Sequence, residues 1–362
     1  MDNSSNGRGG ISWVNVISLA GAFCAFCIGS GFASGQEVMQ FFTAHGLFSF
    51  GALFICLVLF MWLGSSLMAA GQRLKLETTT DIFAYYCGPI LGKVFEYFVP
   101  FFLFCVVVIM FAGAGATINE YFGLSADVGR IIMALLSLLT VIMGLGKLVK
   151  IIGSIGPVII ALSIIVGIIG IFSSPDGVVK SAEMMTQLEV PKAAGNWVVS
   201  GGLYAAFMIF GSAPFFAGMG SEAKGHKEAL WGGLLGGLFL IGAAAIMSTG
   251  LLANIAAVYD KQVPNLAVAG ASSHALALFF SVVLFAGIYT TAAPMLWSVC
   301  NRLALDGTKK FKILAVILTV IAYFGAQLPF GKLVGTIYPY TGYLGLVFIA
   351  CLLYRQFRPR KA

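Results

Sequence analysis

The sequence predicts an all-α integral membrane protein, ten transmembrane helices arranged as a five-plus-five inverted repeat, and three observations carry that prediction. The first is composition: 59% of the 362 residues are apolar and 10% are charged, far from the balance of a water-soluble chain. The second is continuity. Runs such as LAVILTVIAYFGAQLPF at 314–330 are uninterruptedly apolar, unlike the alternating strands of a transmembrane barrel, and suit helices whose backbone groups bond within the segment. The third is the placement of basic residues, which fall in short gaps between these runs. At about 20 residues per span and a few per loop, the length accommodates roughly ten spans and no sizeable soluble domain, so residues 1–362 form a single membrane domain.

Breaking the chain at charged and Gly/Pro/Asn-rich gaps places spans at 13–45, 47–71, 95–119, 128–146, 150–173, 197–221, 229–253, 275–300, 312–329 and 333–354. With a cytoplasmic N-terminus, the inner segments carry Arg8; Arg73, Lys75 and Lys93; Lys147 and Lys150; Lys224 and Lys227; Arg302, Lys309, Lys310 and Lys312; and Arg355, Arg358, Arg360 and Lys361. The outer segments hold only Arg130, Lys180, Lys192, Lys261 and Lys332, so the basic residues divide sixteen to five across the 21 in the chain. That bias predicts both termini in the cytoplasm and a cell (inner) membrane protein crossing many times. The net charge of +7 is therefore a topology signal; no basic patch with interleaved aromatics points to nucleic acid.

The seven cysteines lie mostly inside apolar runs and read as buried free thiols, Cys24 and Cys27 included, since no second pair or nearby His accompanies them. The stretch from Ile11 runs on past any cleavage site and is read as an uncleaved first span. Residues 174–196 and 254–274 are longer outer stretches with room for short surface helices. Residues 72–94, mixed polar and aromatic, suit an amphipathic helix in the inner interface.

The functional signal lies in two interruptions. In the first span, Gly29, Ser30, Gly31, Ser34 and Gly35 stand in the middle of an apolar helix, where each glycine costs about 1 kcal/mol relative to Ala. Ser34 followed by Glu37 has the spacing of a capping box, so one half-helix ends near Ile28 and another begins near Gly35. In the sixth span, Gly211, Ser212, Ala213 and Pro214 interrupt an apolar run, and Pro frees a backbone carbonyl there. The two Gly-Ser pairs are 182 positions apart, close to half the chain, which predicts two five-span halves, 11–173 and 196–355, each opening with a broken helix. Five spans per half is odd, so the second half is inverted, and matched broken helices in inverted halves point to a transporter's binding site.

With these features the sequence resembles the LeuT-type transporters of the amino acid, polyamine and organocation superfamily, and GSGFASGQEVMQFF at 29–42 is similar to the opening helix of bacterial membrane proteins of the YkvI type. The resemblance implies a sodium ion held between carbonyls of the first span, here Ala25 and Ile28, and oxygens of the eighth. Gly287, Thr290 and Thr291 match that pattern, falling at i, i+3 and i+4 on one face. Threonines in apolar helices also bond back to the i−4 carbonyl without any ligand. Proton-coupled relatives carry a lysine in the fifth span instead, and residues 151–171 contain none, which favours sodium.

For the substrate, the N-terminal amides of the second half-helix, around Gly31 to Gly35, with their positive dipole end suit a carboxylate; Gly29, Ser30, Gly31 and Ser34 are candidate binding residues, and Phe207, Phe210, Gly211 and Ser212 are expected to line the opposite wall. Glu37 has two expected roles: capping the second half-helix through the Ser34 amide, or binding a substrate amine or a proton. The implied function is a sodium-coupled secondary transporter for a small amino acid or related amine, with no cofactor beyond the ion; the alternatives are a proton-coupled transporter or a membrane sensor that binds without transport. An enzyme is disfavoured, because the nucleotide-binding, zinc-protease and dinucleotide motifs are missing.

Overall fold

Because a bilayer offers no water to unpaired backbone groups, helices dominate the structure. The computed structural model describes residues 11–143 and 149–357 and contains only helices and their connections among them. The first span is divided into three pieces: α1 (Trp13–Cys27), α2 (Ser30–Ala33) and α3 (Gln36–Phe41), followed by a 3-10 segment, Thr43–Phe48. After it come α4 (Ser49–Leu74), α5 (Asp81–Phe122), α6 (Ala126–Met143), α7 (Val149–Ser173) and the short α8 (Gly177–Met184). The second half comprises α9 (Trp197–Glu222), α10 (His226–Ala253), short α11 (Ile255–Val258) and α12 (Pro264–Ser272), α13 (His274–Leu303), α14 (Lys309–Gly325) and α15 (Phe330–Phe357). Lys147 and the side chain of Lys150 fall outside the described residues, as do Arg8, Arg358, Arg360 and Lys361.

Seven helical segments among the described residues are long and apolar enough to cross a membrane, and an eighth is added if the 84° bend between α7 and α8 lies within one span. The shortfall from ten arises at identifiable places. The first span is cut by its breaks, so α1 has 15 residues, and α14 has 17. The stretch 72–94 is likewise resolved into parts: α4 ends at Leu74 with Lys75 left-handed (φ 43°), and Gly88 (φ 80°, ψ 174°) breaks the helical path early in α5. Only glycine adopts that conformation without strain, so residues 81–87 stand apart from the long helix that begins at Pro89.

The interruption expected in the sixth span is not there: α9 runs continuously from Trp197 to Glu222 through Gly211 and Pro214. Packing accounts for it. A methyl group on Gly201 would meet the Ala52 backbone, one on Gly220 the Met68 backbone, and one on Gly71 the Ala217 backbone, so α4 and α9 touch backbone to backbone along their length. From the other side Gly342 and Gly345 of α15 bring that helix equally close, at Leu203 and Ala206. Small residues at helix contacts supply van der Waals contact where lipid leaves little hydrophobic drive, and neighbouring helices hold a proline-containing helix straight. Gly71→Ala or Gly220→Ala should therefore destabilise the detergent-purified protein by about 1–3 kcal/mol, the usual penalty for overpacking. Gly202→Ala in the same α9 meets nothing within 4 Å and should leave the melting temperature unchanged or raised.

Candidate functional site

The break in the first span follows from residues that favour neither helix nor strand. α1 ends when Ile28 turns extended (φ −87°, ψ 91°) and Gly29 follows at ψ −170°. The last turn keeps two bonds, Ile28 N–H to Cys24 O at 2.9 Å and Gly29 N–H to Cys27 O at 3.2 Å. The carbonyl oxygens of Ala25 and Ile28 accept no backbone hydrogen bond among the described residues. A second break follows shortly after, where Gly35 is left-handed at φ 86°.

Partners from distant parts of the chain close most of this gap. The Asn265 side-chain amide donates to Ala33 O and its backbone N–H to Ser34 O, both at 2.9 Å. Ser163 donates to Ala33 O at 3.4 Å, and Ser30 donates to the Met110 sulfur at 2.8 Å. Ser34 donates its hydroxyl to Gly31 O at 2.9 Å and accepts the Gln36 N–H at 3.2 Å, bridging both turns.

Glu37 does not cap through Ser34, whose amide is already bonded to Ser30 O at 2.8 Å. Its carboxyl group, 3% exposed, folds back over α2 instead and accepts the Tyr204 hydroxyl at 3.4 Å. It lies so close over Gly31 that a side chain there would collide with it. The start of α2 is thus covered by the chain's own carboxyl group.

Glu37 also lines a cavity of about 70 Å³, room for roughly five waters, at the meeting of the first span with α5, α9, α13 and α15. Six of the residues singled out from the sequence meet there: Gly29, Glu37, Phe207, Gly211, Ser212 and Thr291. Both Gly-Ser positions therefore face one space, and Cys27 Sγ and Ser212 Oγ stand 4.0 Å apart across it. Ser30, Gly31 and Ser34 are buried in the break behind its wall. Phe210 points elsewhere, packed among Phe83, Phe95 and Phe98 with ring centroids 5.0–5.9 Å away.

On α13, both threonines bond back to one oxygen, Thr290 to Gly287 O at 2.8 Å and Thr291 at 3.1 Å. Three oxygens are clustered there, and α13 packs on α2. Ala25 is exposed and lies off the cavity, Ile28 is buried at the end of α1, and Gly287 sits under Ile159.

Sequence reasoning missed Tyr204, Tyr338, Phe102, Cys27 and the sulfurs of Met110, Met208 and Met295. Tyr204 was legible, because it shares one face of α9 with Phe207 and Gly211 at i, i+3 and i+7. Tyr338 was not: it belongs to the tenth span, yet stacks on Phe207 with centroids 4.6 Å apart and planes 5° from parallel. On the far side of α3, Gln36 and Gln40 border a separate vestibule of about 510 Å³ with Glu189, Lys192, Asp260, Lys261 and Lys332.

The many-helix bundle with its broken first helix has solved structural neighbours. Two solved structures of the Eremococcus coleocola manganese transporter share this fold, one with a histidine and one with a glutamate replaced by alanine. Their TM-scores are 0.57 and 0.58 and their identities 13% and 12%, each alignment covering 98% of this chain and 84% of the transporter. In sequence the chain is YkvI-like. It is 26% identical to the membrane protein YkvI of Bacillus subtilis over 345 residues, 95% of this chain and 96% of YkvI, and 26% identical to YyaD of the same organism over 350 residues, 96% of both. No family model matches the chain.

Tyr204→Phe removes the hydroxyl that donates to the buried Glu37 carboxyl. The variant should lose about 1–3 kcal/mol of stability, read from melting curves in detergent, while Tyr289→Phe, whose partner is Thr140 in the α6–α13 contact, should leave ligand-dependent shifts intact.

Proposed function

We propose that the protein is a secondary active transporter that moves a small amino acid or related amine by alternating access, coupled to sodium. The observation that carries this reading is the cavity at the break between α1 and α2, bounded by helices of both halves and containing a buried carboxylate. Polar side chains buried at membrane depth are costly and are found where a solute or ion passes. The transporter fold of the solved neighbours supports the class. Their manganese is not carried over, because among the described residues no group of three or more His, Cys, Asp or Glu side chains is gathered as a metal site. The thin α3 partition, with the cavity on one side and the vestibule on the other, supports access from alternate faces.

For the coupling ion, the open carbonyls of Ala25 and Ile28 present the negative end of α1, and Gly287, Thr290 and Thr291 offer three neutral oxygens linked by bonds of 2.8 and 3.1 Å. A hard monovalent cation needs only such oxygens. Sodium would draw the threonine lone pairs to itself and tie the first span to α13, the second-half helix that carries part of the cavity wall. The ten-span inverted arrangement with cytoplasmic termini belongs to the same proposal, with the first span and α14 counted among the spans.

The test is thermal stability of detergent-purified protein in sodium against potassium or choline chloride. A ligand at 100 times its Kd adds about 2.7 kcal/mol to a folded state that alone binds it. Sodium-specific stabilisation should appear in the wild type and vanish in the Thr290→Ala, Thr291→Ala double variant; equal melting in sodium and potassium would sink sodium coupling.

A further inference from the structure

We infer that the solute recognised in the cavity is a small organic ammonium ion carrying no carboxylate, with Glu37 as its counter-ion. The inference deepens the transporter reading and rests on it. It starts from the charges around the cavity: among the described residues Glu37 is the one acidic side chain lining it, and no Lys, Arg or His lines it. A zwitterionic amino acid needs a positive partner for its carboxylate. The natural candidate, the amide end of α2, is covered, since the Glu37 carboxyl lies directly against Gly31. An incoming carboxylate would have to displace Glu37 or lie beside it as a second like charge in a water-poor site, which is strongly unfavourable.

An ammonium ion meets the opposite situation. A carboxylate offers about four lone-pair positions, and the Tyr204 hydroxyl occupies one, which leaves the remainder for the cavity. Pairing with a cation relieves the cost of burying that charge. The stacked rings of Phe207 and Tyr338 present aromatic surface to the same space, suited to a cation and to a short apolar body. Ser212 and Thr291 add hydroxyl oxygens that can accept N–H groups. The volume of about 70 Å³, well below the roughly 300–1,000 Å³ of drug-sized sites, limits the body to a few heavy atoms. Gly31 completes the arrangement, because only a residue without a side chain leaves the Glu37 carboxylate its place over α2.

The experiment is a melting-temperature titration of the full-length, detergent-purified protein at constant sodium and ionic strength, with methylammonium, ethylammonium and ethanolamine against glycine, alanine and potassium chloride. The ammonium ions should raise the melting temperature in proportion to the logarithm of their concentration, while glycine and alanine match the salt control. Glu37→Gln should weaken the ethylammonium response about tenfold or more, and Glu37→Asp, which retains the charge one methylene further back, should weaken it less. Glycine or alanine stabilising as much as ethylammonium, no response to any ammonium ion, or a full response in Glu37→Gln would each overturn the inference. If the Gln variant does not fold, wild-type selectivity and the Asp variant decide. Uptake of labelled methylammonium into proteoliposomes separates the two readings: binding without uptake keeps ammonium recognition and refutes transport.

Discussion

The rest of the structure depends on the absence of water inside a bilayer. A helix that stops at membrane depth leaves amides and carbonyls that only protein can satisfy, each at a cost of several kcal/mol if left alone. The first span stops twice in quick succession, after Cys27 and again at Gly35, and the surrounding side chains are organised around those two stops. Asn265, Ser163 and Ser34 each supply a bond that an unbroken helix would have made by itself. The carbonyls of Ala25 and Ile28 are among those left without a backbone donor among the described residues.

The two halves of the chain contribute unequally. The first provides the irregular backbone and the carboxyl group; the second provides an unbroken wall, with α9 helical through its proline and packed between α4 and α15. A break in both halves would have left two sets of orphan groups to satisfy. Here one break is enough to form a cavity, and the facing Gly211 serves by lacking a side chain, which gives the Phe102 ring its space 2.9 Å from where a Cβ would stand.

Much of this was legible in the residues themselves. Composition and apolar runs specify a helical membrane protein, and the density of Gly and Ser from Gly29 to Gly35 marks the irregular segment, because those residues weaken a helix locally. What depends on tertiary packing was not legible. Pro214 signals a break on its own, yet the backbone contacts through Gly220, Gly201 and Gly345 override it. The spacing of Ser34 and Glu37 fits a capping box, yet the left-handed Gly35 redirects Glu37 onto α2. Tyr338 enters from the tenth span, which carries no sequence signal of a site, and only the fold brings it to the cavity.

The tether from Asn265 has a consequence for biosynthesis. Its side chain bonds Ala33 across 232 residues of sequence, so the segment it secures is made long before its partner exists. At about 5–20 residues per second, the ribosome needs on the order of ten to fifty seconds to cover that distance. Ser163 reaches Ala33 O from nearer in sequence, but the Ser34 carbonyl gains its backbone donor only when Asn265 has been made, so the second stop of the first span is sealed late in synthesis.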